Sequence, residues 1–104
     1  LGDSTKTIPE YVKNNSDKKF DLIFIDGGHD YEIAKADVDN CFHLAYENTI
    51  VILDDTIFTN GWQVPCAIGP TRVWVENVQQ HKIIELNKKD YRTGRGMSWE
   101  KYVL

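Results

Sequence analysis

The sequence has little with which to fasten itself covalently or to a transition metal. It contains two cysteines, Cys41 and Cys66, and neither belongs to a paired spacing such as C-x-x-C. That argues against a zinc module. A single disulfide is the most the pair can form, nothing in the sequence requires it, and reduced thiols in a cytoplasmic protein are the default expectation. No apolar stretch approaches the roughly 20 residues needed to span a bilayer, so no membrane partner is expected. No signal peptide is visible. Basic charge is also scarce: 12 Lys and Arg stand against 16 Asp and Glu, a formal net charge of −4. A nucleic-acid-binding surface normally shows a basic stripe. Here Lys18-Lys19 and Lys88-Lys89 are interspersed with acids and describe a solvated mixed-charge surface. Internal repeats and low-complexity tracts are missing as well, and 104 residues allow one domain at most.

What is present is a pair of apolar runs that end abruptly in acid. Phe20-Asp21-Leu22-Ile23-Phe24-Ile25 stops at Asp26-Gly27-Gly28-His29-Asp30-Tyr31, and Ile50-Val51-Ile52-Leu53 stops at Asp54-Asp55. Unbroken runs of β-branched character are expected of parallel strands buried on both faces. Ligands of an open α/β sheet bind in the crevice beyond the carboxyl ends of such strands. Asp26, His29, Asp54 and Asp55 are therefore placed at one sheet edge, as a candidate site.

The remaining elements follow from local signals. Thr7-Ile8-Pro9-Glu10 has the form of a capping box, predicting a short helix that ends near Asn14-Asn15-Ser16. Pro9 would then lie in the first turn, where its missing N–H costs little. A strand over 20–25 comes next. Asp30 can cap a helix from Tyr31, whose Ala34, Val38, Cys41 and Ala45 recur on one face, with Glu32, Lys35, Asp37 and Asp39 mostly on the other. Glu47-Asn48 turns the chain into a second strand over 49–53, which gives a βαβ unit. Residues 56–69 read as an irregular loop, and Pro70 as the first-turn residue of a helix whose core face is Val73, Trp74 and Val78. Two β-like runs, 82–86 and 97–104, flank a polar segment containing Gly94 and Gly96, as in a hairpin on a longer loop. The fold class expected is α/β: parallel strands with helices, closed by an antiparallel C-terminal strand pair, the second half of a doubly wound sheet with one antiparallel element at its edge.

Gly2-Asp3-Ser4, the run 20–31, residues 49–56 and Gly69-Pro70-Thr71-Arg72-Val73-Trp74, in this order and spacing, resemble the C-terminal half of a class I S-adenosylmethionine-dependent methyltransferase. The similarity is closest to the small-molecule and sugar O-methyltransferases. The resemblance implies a partial Rossmann-like fold in which 21–25 and 49–53 are the fourth and fifth strands and the final hairpin the sixth and seventh, the seventh running antiparallel. Residues 1–104 would be the C-terminal portion of one such domain. The family's glycine-rich loop after its first strand has no counterpart here, since Gly27-Gly28 follows the wrong strand.

The resemblance also implies roles. Asp3 and Ser4 match the pair that meets the cofactor's adenine, although Asp and Ser are equally favoured in a plain helix-entry turn. Asp26, Asp54 and Asp55 match the metal-binding acids of divalent-cation-dependent O-methyltransferases, and three hard oxygen donors suit Mg²⁺. Alternatively, Asp26 contacts the methionine end of the cofactor while Asp54 or Asp55 satisfies loop amides. On its own chemistry His29 is the best candidate general base, since an imidazole can take a hydroxyl proton near neutral pH, with a metal ligand or a loop-ordering residue as the alternatives. Tyr31 and Trp62 either line the acceptor pocket or close the core, and Arg72 is a weaker candidate for an acidic group.

The activity implied is methyl transfer to a hydroxyl of a small molecule, with a sugar among the candidate acceptors and Mg²⁺ as a candidate aid. Two rivals stay open: a metal-dependent phosphoesterase built on the same acids, and a non-catalytic Rossmann-like interaction module. The strand over 21–25 should lack one neighbour, leaving an apolar edge through which copies of the chain self-associate.

Overall fold

The computed structural model describes residues 3–26, 30–56, 65–92 and 95–104. The two apolar runs form neighbouring strands, β1 (Leu22–Ile25) and β2 (Ile50–Asp54), paired in parallel with Leu22 opposite Ile50 and Ile25 opposite Leu53. Between them runs α2 (Tyr31–Cys41), extended by a 3₁₀ turn at Phe42–Leu44. A helix α1 (Ser4–Asn14) precedes β1, and α3 (Pro65–Gln79) leads to β3 (Ile83–Arg92) and β4 (Arg95–Tyr102). The sheet order is β1-β2-β4-β3.

β4 is antiparallel to both β2 and β3. β3 therefore runs in the same direction as β1 and β2, and β4 alone is reversed. The antiparallel element expected at the edge lies between two strands instead. Burial explains the exchange. Ser98, Glu100 and Tyr102 of β4 are buried, whereas β3 carries exposed Asn87, Lys88 and Lys89, the charged side chains that blunt an edge. The polar segment expected to be a hairpin loop is also strand: Asn87 pairs with Trp99 and Lys88 with Ser98, with bulges between Glu85 and Asn87 and between Asp90 and Arg92. Cross-strand pairing outweighs the poor β propensity of Asn, Asp and Lys here.

Among the described residues, α1, α2 and α3 pack on one face of the sheet. Ile23 and Ile25 of β1, Val51 and Leu53 of β2, and Ile83 of β3 form one core with Ala34, Val38 and Cys41 of α2 and Val73 and Trp74 of α3. Ile8 and Val12 of α1 pack against its margin. The alternate residues point the other way. Leu22 is 59% exposed and Phe24 52% exposed, on the face opposite the helices. Among the described strands, β1 pairs with β2 alone. Among the described residues, no helix is long and apolar enough to cross a membrane.

Both proline-based helix starts shift. The first helix begins at Ser4, capped by Asp3, whose side chain accepts from the Thr5 amide at 3.0 Å and from the Thr5 hydroxyl at 2.6 Å. The Asp3 cap thus precedes the Thr7 box, and Pro9 lies inside the helix. The last helix begins at Pro65, and Pro70 lies inside it. In both helices the proline is the sixth residue, and each removes one intrahelical donor. Asp37, expected on the solvent side of α2, is 4% exposed, because α1 covers a flank that the sequence pattern left to water.

Candidate functional site

The parallel register carries the two acid-terminated runs to the same edge. Ile25 is level with Leu53, so Asp26 and Asp54 follow side by side at the carboxyl ends of β1 and β2. Carboxylate oxygens of Asp26, Asp54 and Asp55 all lie within 4.8 Å of one another. Their burial is graded: Asp26 is exposed, Asp54 intermediate and Asp55 buried. Asp55 has φ 60°, in the left-handed region. Aspartate tolerates that region better than most residues, and the turn swings its carboxylate back beside Asp54. Three carboxylates at this spacing form a hard, anionic donor set of the kind that takes a divalent cation and its remaining waters.

Behind the acids stands a buttress that no sequence signal had marked as part of the site. Thr56 is 1% exposed, and its hydroxyl lies 3.1 Å from the Leu53 carbonyl oxygen and 3.0 Å from the Ser98 hydroxyl. The exit of β2 is thereby fixed to β4. Gly96 of β4 passes so near that a Cβ there would meet the Thr56 carbonyl oxygen at 2.4 Å. The sequence signal for it is a glycine next to a strand pattern, which can mark close backbone approach.

A cleft of about 220 Å³ opens beside Asp26, and Ser4 lines it too. The first residue of α1 and the acid after β1 thus share one cavity. Ile8 and Ile25 supply apolar wall, and the buried Asp37 and Cys41 of α2 form its floor. Burial, with Asp37 nearby, pushes the Cys41 thiol up to about 11, which makes it a poor nucleophile. Asp3, immediately before Ser4, is the α1 cap. The hydrogen bonds from Thr5 hold its carboxyl below the ordinary value, so it stays ionised.

Other sequence candidates lie elsewhere. Tyr31 joins two helices: its phenol donates to Glu76 of α3 at 2.6 Å, and the Arg72 guanidinium sits 3.9 Å from its ring centroid. Arg72 is itself 3.4 Å from Glu76. Tyr31 thus packs between α2 and α3, and Arg72 has an acidic partner within its own helix. The Glu76 carboxylate raises the Tyr31 phenol above its ordinary value. Asp30 occupies the N-cap of α2, with its carbonyl accepting from Ala34 at 2.9 Å. Gly27, Gly28, His29 and Trp62 lie outside the described residues.

A model of the methyltransferase domain family matches residues 1–56, just over half of the chain. The match covers both acid-terminated strands, α1 and α2, and it ends at the buttress residue Thr56. The chain belongs to the methyltransferase domain family. No curated protein matches it.

Proposed function

We infer that the chain takes part in S-adenosylmethionine-dependent methyl transfer to a hydroxyl of a small molecule, a sugar among the candidates, with a divalent cation such as Mg²⁺ assisting. The observation that carries this is the convergence of Asp26, Asp54 and Asp55 at the ends of adjacent parallel strands in a chain of this family. The sheet order supports the Rossmann-like assignment. A single reversed strand, β4, between β2 and β3 suits the antiparallel seventh strand of that fold, with β1, β2 and β3 as its fourth, fifth and sixth.

The cleft shared by Ser4 and Asp26 fits one part of the cofactor. Asp3, Ser4 and Asp26 would hold it. Asp3 commits one oxygen to Thr5 and offers the other. Bound S-adenosylmethionine supplies an electrophilic methyl group on a sulfonium. The work of the protein is then to hold the acceptor oxygen in line with that methyl carbon and to remove the hydroxyl proton. Asp26, Asp54 and Asp55 would hold the cation that orients the acceptor and favours its deprotonated form. His29 is the proposed base, on its place in the sequence after Asp26-Gly27-Gly28. A cytoplasmic location accords with the reduced thiols this reading assumes.

Calorimetry with S-adenosylmethionine, with and without Mg²⁺, tests this on the chain and on a version extended upstream. Cofactor binding by the extended version, and Mg²⁺ binding lost in Asp54→Asn and Asp55→Asn, supports the reading. Phosphate-ester hydrolysis without any cofactor affinity would overturn it in favour of a hydrolase.

A further inference from the structure

A second cavity, of about 350 Å³, lies at the other end of the sheet from the acids. It opens where the last turns of α2 and α3 meet the start of β3 and the end of β4. We propose that this cavity is a binding site for a small aromatic monoanion, separate from the methyl-transfer site.

The walls are apolar and already in place. Val38, Phe42 and Tyr102 form them. Phe42 packs edge-on to Tyr102, with ring centroids 5.5 Å apart at 89°. The Tyr102 phenol donates to the Val38 carbonyl at 2.6 Å, so the ring cannot swing into the space. The mouth is fixed by backbone bonds: the Lys82 amide donates to the Asn77 carbonyl and the Val103 amide to the Lys82 carbonyl, each at 2.9 Å. A cavity of this size, rigid and largely apolar with a few polar groups, suits a ring system rather than a peptide.

The polar groups choose the charge. Lys82 lines the mouth and has no ion-pair partner among the described residues. His81 stands beside it, held at φ 58° in the left-handed region. Asp39, the acid on this rim, is 2.7 Å from Lys35, which offsets its charge. Lys82 is therefore the group on the rim that can pair with an anion. Inside, Asn77 is 6% exposed and directs its Nδ2 to the Val73 carbonyl at 2.7 Å. No hydrogen bond to its Oδ1 is made among the described residues, and Asn77 lines the cavity, where an occupant can supply a donor. A flat ring with an N–H or O–H on its body and a carboxylate at its end meets all of these features.

The test uses indole-3-acetate as probe, titrated into the ¹⁵N-labelled chain and followed by amide chemical shifts. Saturable shifts confined to residues around Val38, Asn77, Lys82 and Val103 are expected. Lys82→Glu, an exposed substitution that leaves the core intact, should weaken binding by about tenfold or more, and the neutral indole-3-acetamide should bind the original chain as weakly. Asn77→Leu should weaken it further if it folds. Shifts centred on Leu22 and Phe24, shifts that do not saturate, or affinity unchanged in Lys82→Glu would each overturn the proposal. None of these readouts depends on cofactor binding or methyl transfer.

Discussion

The Cβ that Gly96 lacks would stand 2.4 Å from the carbonyl oxygen of Thr56. That contact links the last strand of the sheet to the turn that presents Asp54 and Asp55. Alanine at 96 would also meet the Lys89 carbonyl oxygen at 3.2 Å, so two backbone segments oppose it. Gly96→Ala is expected to destabilise the fold by about 1–3 kcal/mol, as overpacking does elsewhere. Since Thr56 must move, Mg²⁺ affinity should fall together with stability. Urea denaturation and metal titration on the same variant check this. Unchanged stability would show that β4 does not set the position of the acids.

Glu100 gives the fold a pH dependence. It is 2% exposed, opposite Glu85 across the β3–β4 pair. Burial pushes its carboxyl from the usual 4.5 up to about 8, with the Ser98 hydrogen bond opposing and the Glu85 charge adding. The folded state therefore binds the proton more tightly than the unfolded chain. The stability this contributes is complete below about pH 4.5 and is lost progressively as the pH rises to about 8. The effect is on the order of a few kcal/mol. Glu100→Gln should flatten denaturation midpoints over that window and leave the variant more stable than the original chain above it. Equal slopes for the two proteins would refute the assignment.

Tyr31 can serve in packing or in the acceptor pocket, and a conservative substitution separates the two. Tyr31→Phe removes the hydrogen bond to Glu76 but keeps the ring under Arg72. A loss of about 1 kcal/mol in stability is expected, with cofactor and metal affinities unchanged. Tyr31→Leu removes the cation–π contact as well and should cost more. A change in ligand affinity without a change in melting temperature would return Tyr31 to the acceptor pocket.

The two strands that carry the acids were legible because their chemistry is local. An apolar run ended by Asp-Gly-Gly or Asp-Asp states both the strand and its end, and the core face of α2 follows from Ala34, Val38 and Cys41. The helix starts were less legible. A cap and a proline are start signals of similar form, and Pro9 and Pro70 each stand where a start is tolerable. Only the Asp3 side chain folding onto Thr5 decides between them. The buttress was hidden for another reason. Thr56 is distant in sequence from Gly96 and Ser98, all three are unremarkable in type, and they meet because β4 inserts beside β2. Asp37 and Glu100 look like surface acids in any periodicity argument, yet tertiary packing buries both.

One face of the sheet carries no helix among the described residues. Leu22 and Phe24 project from β1 away from the helices, and Ile84 and Leu86 of β3 are also more than 45% exposed. β1 also has one free edge among the described strands. An apolar face joined to an open edge favours pairing with another chain. Sedimentation of residues 1–104 should therefore show self-association that grows with concentration. Phe24→Lys places a charge on the exposed face while Ile23 and Ile25 stay in the core, so it should reduce association without unfolding the chain. An upstream extension that supplies a neighbouring strand should reduce it too. A well-folded monomer at high concentration, with Phe24 unchanged, would show that neither face nor edge drives assembly.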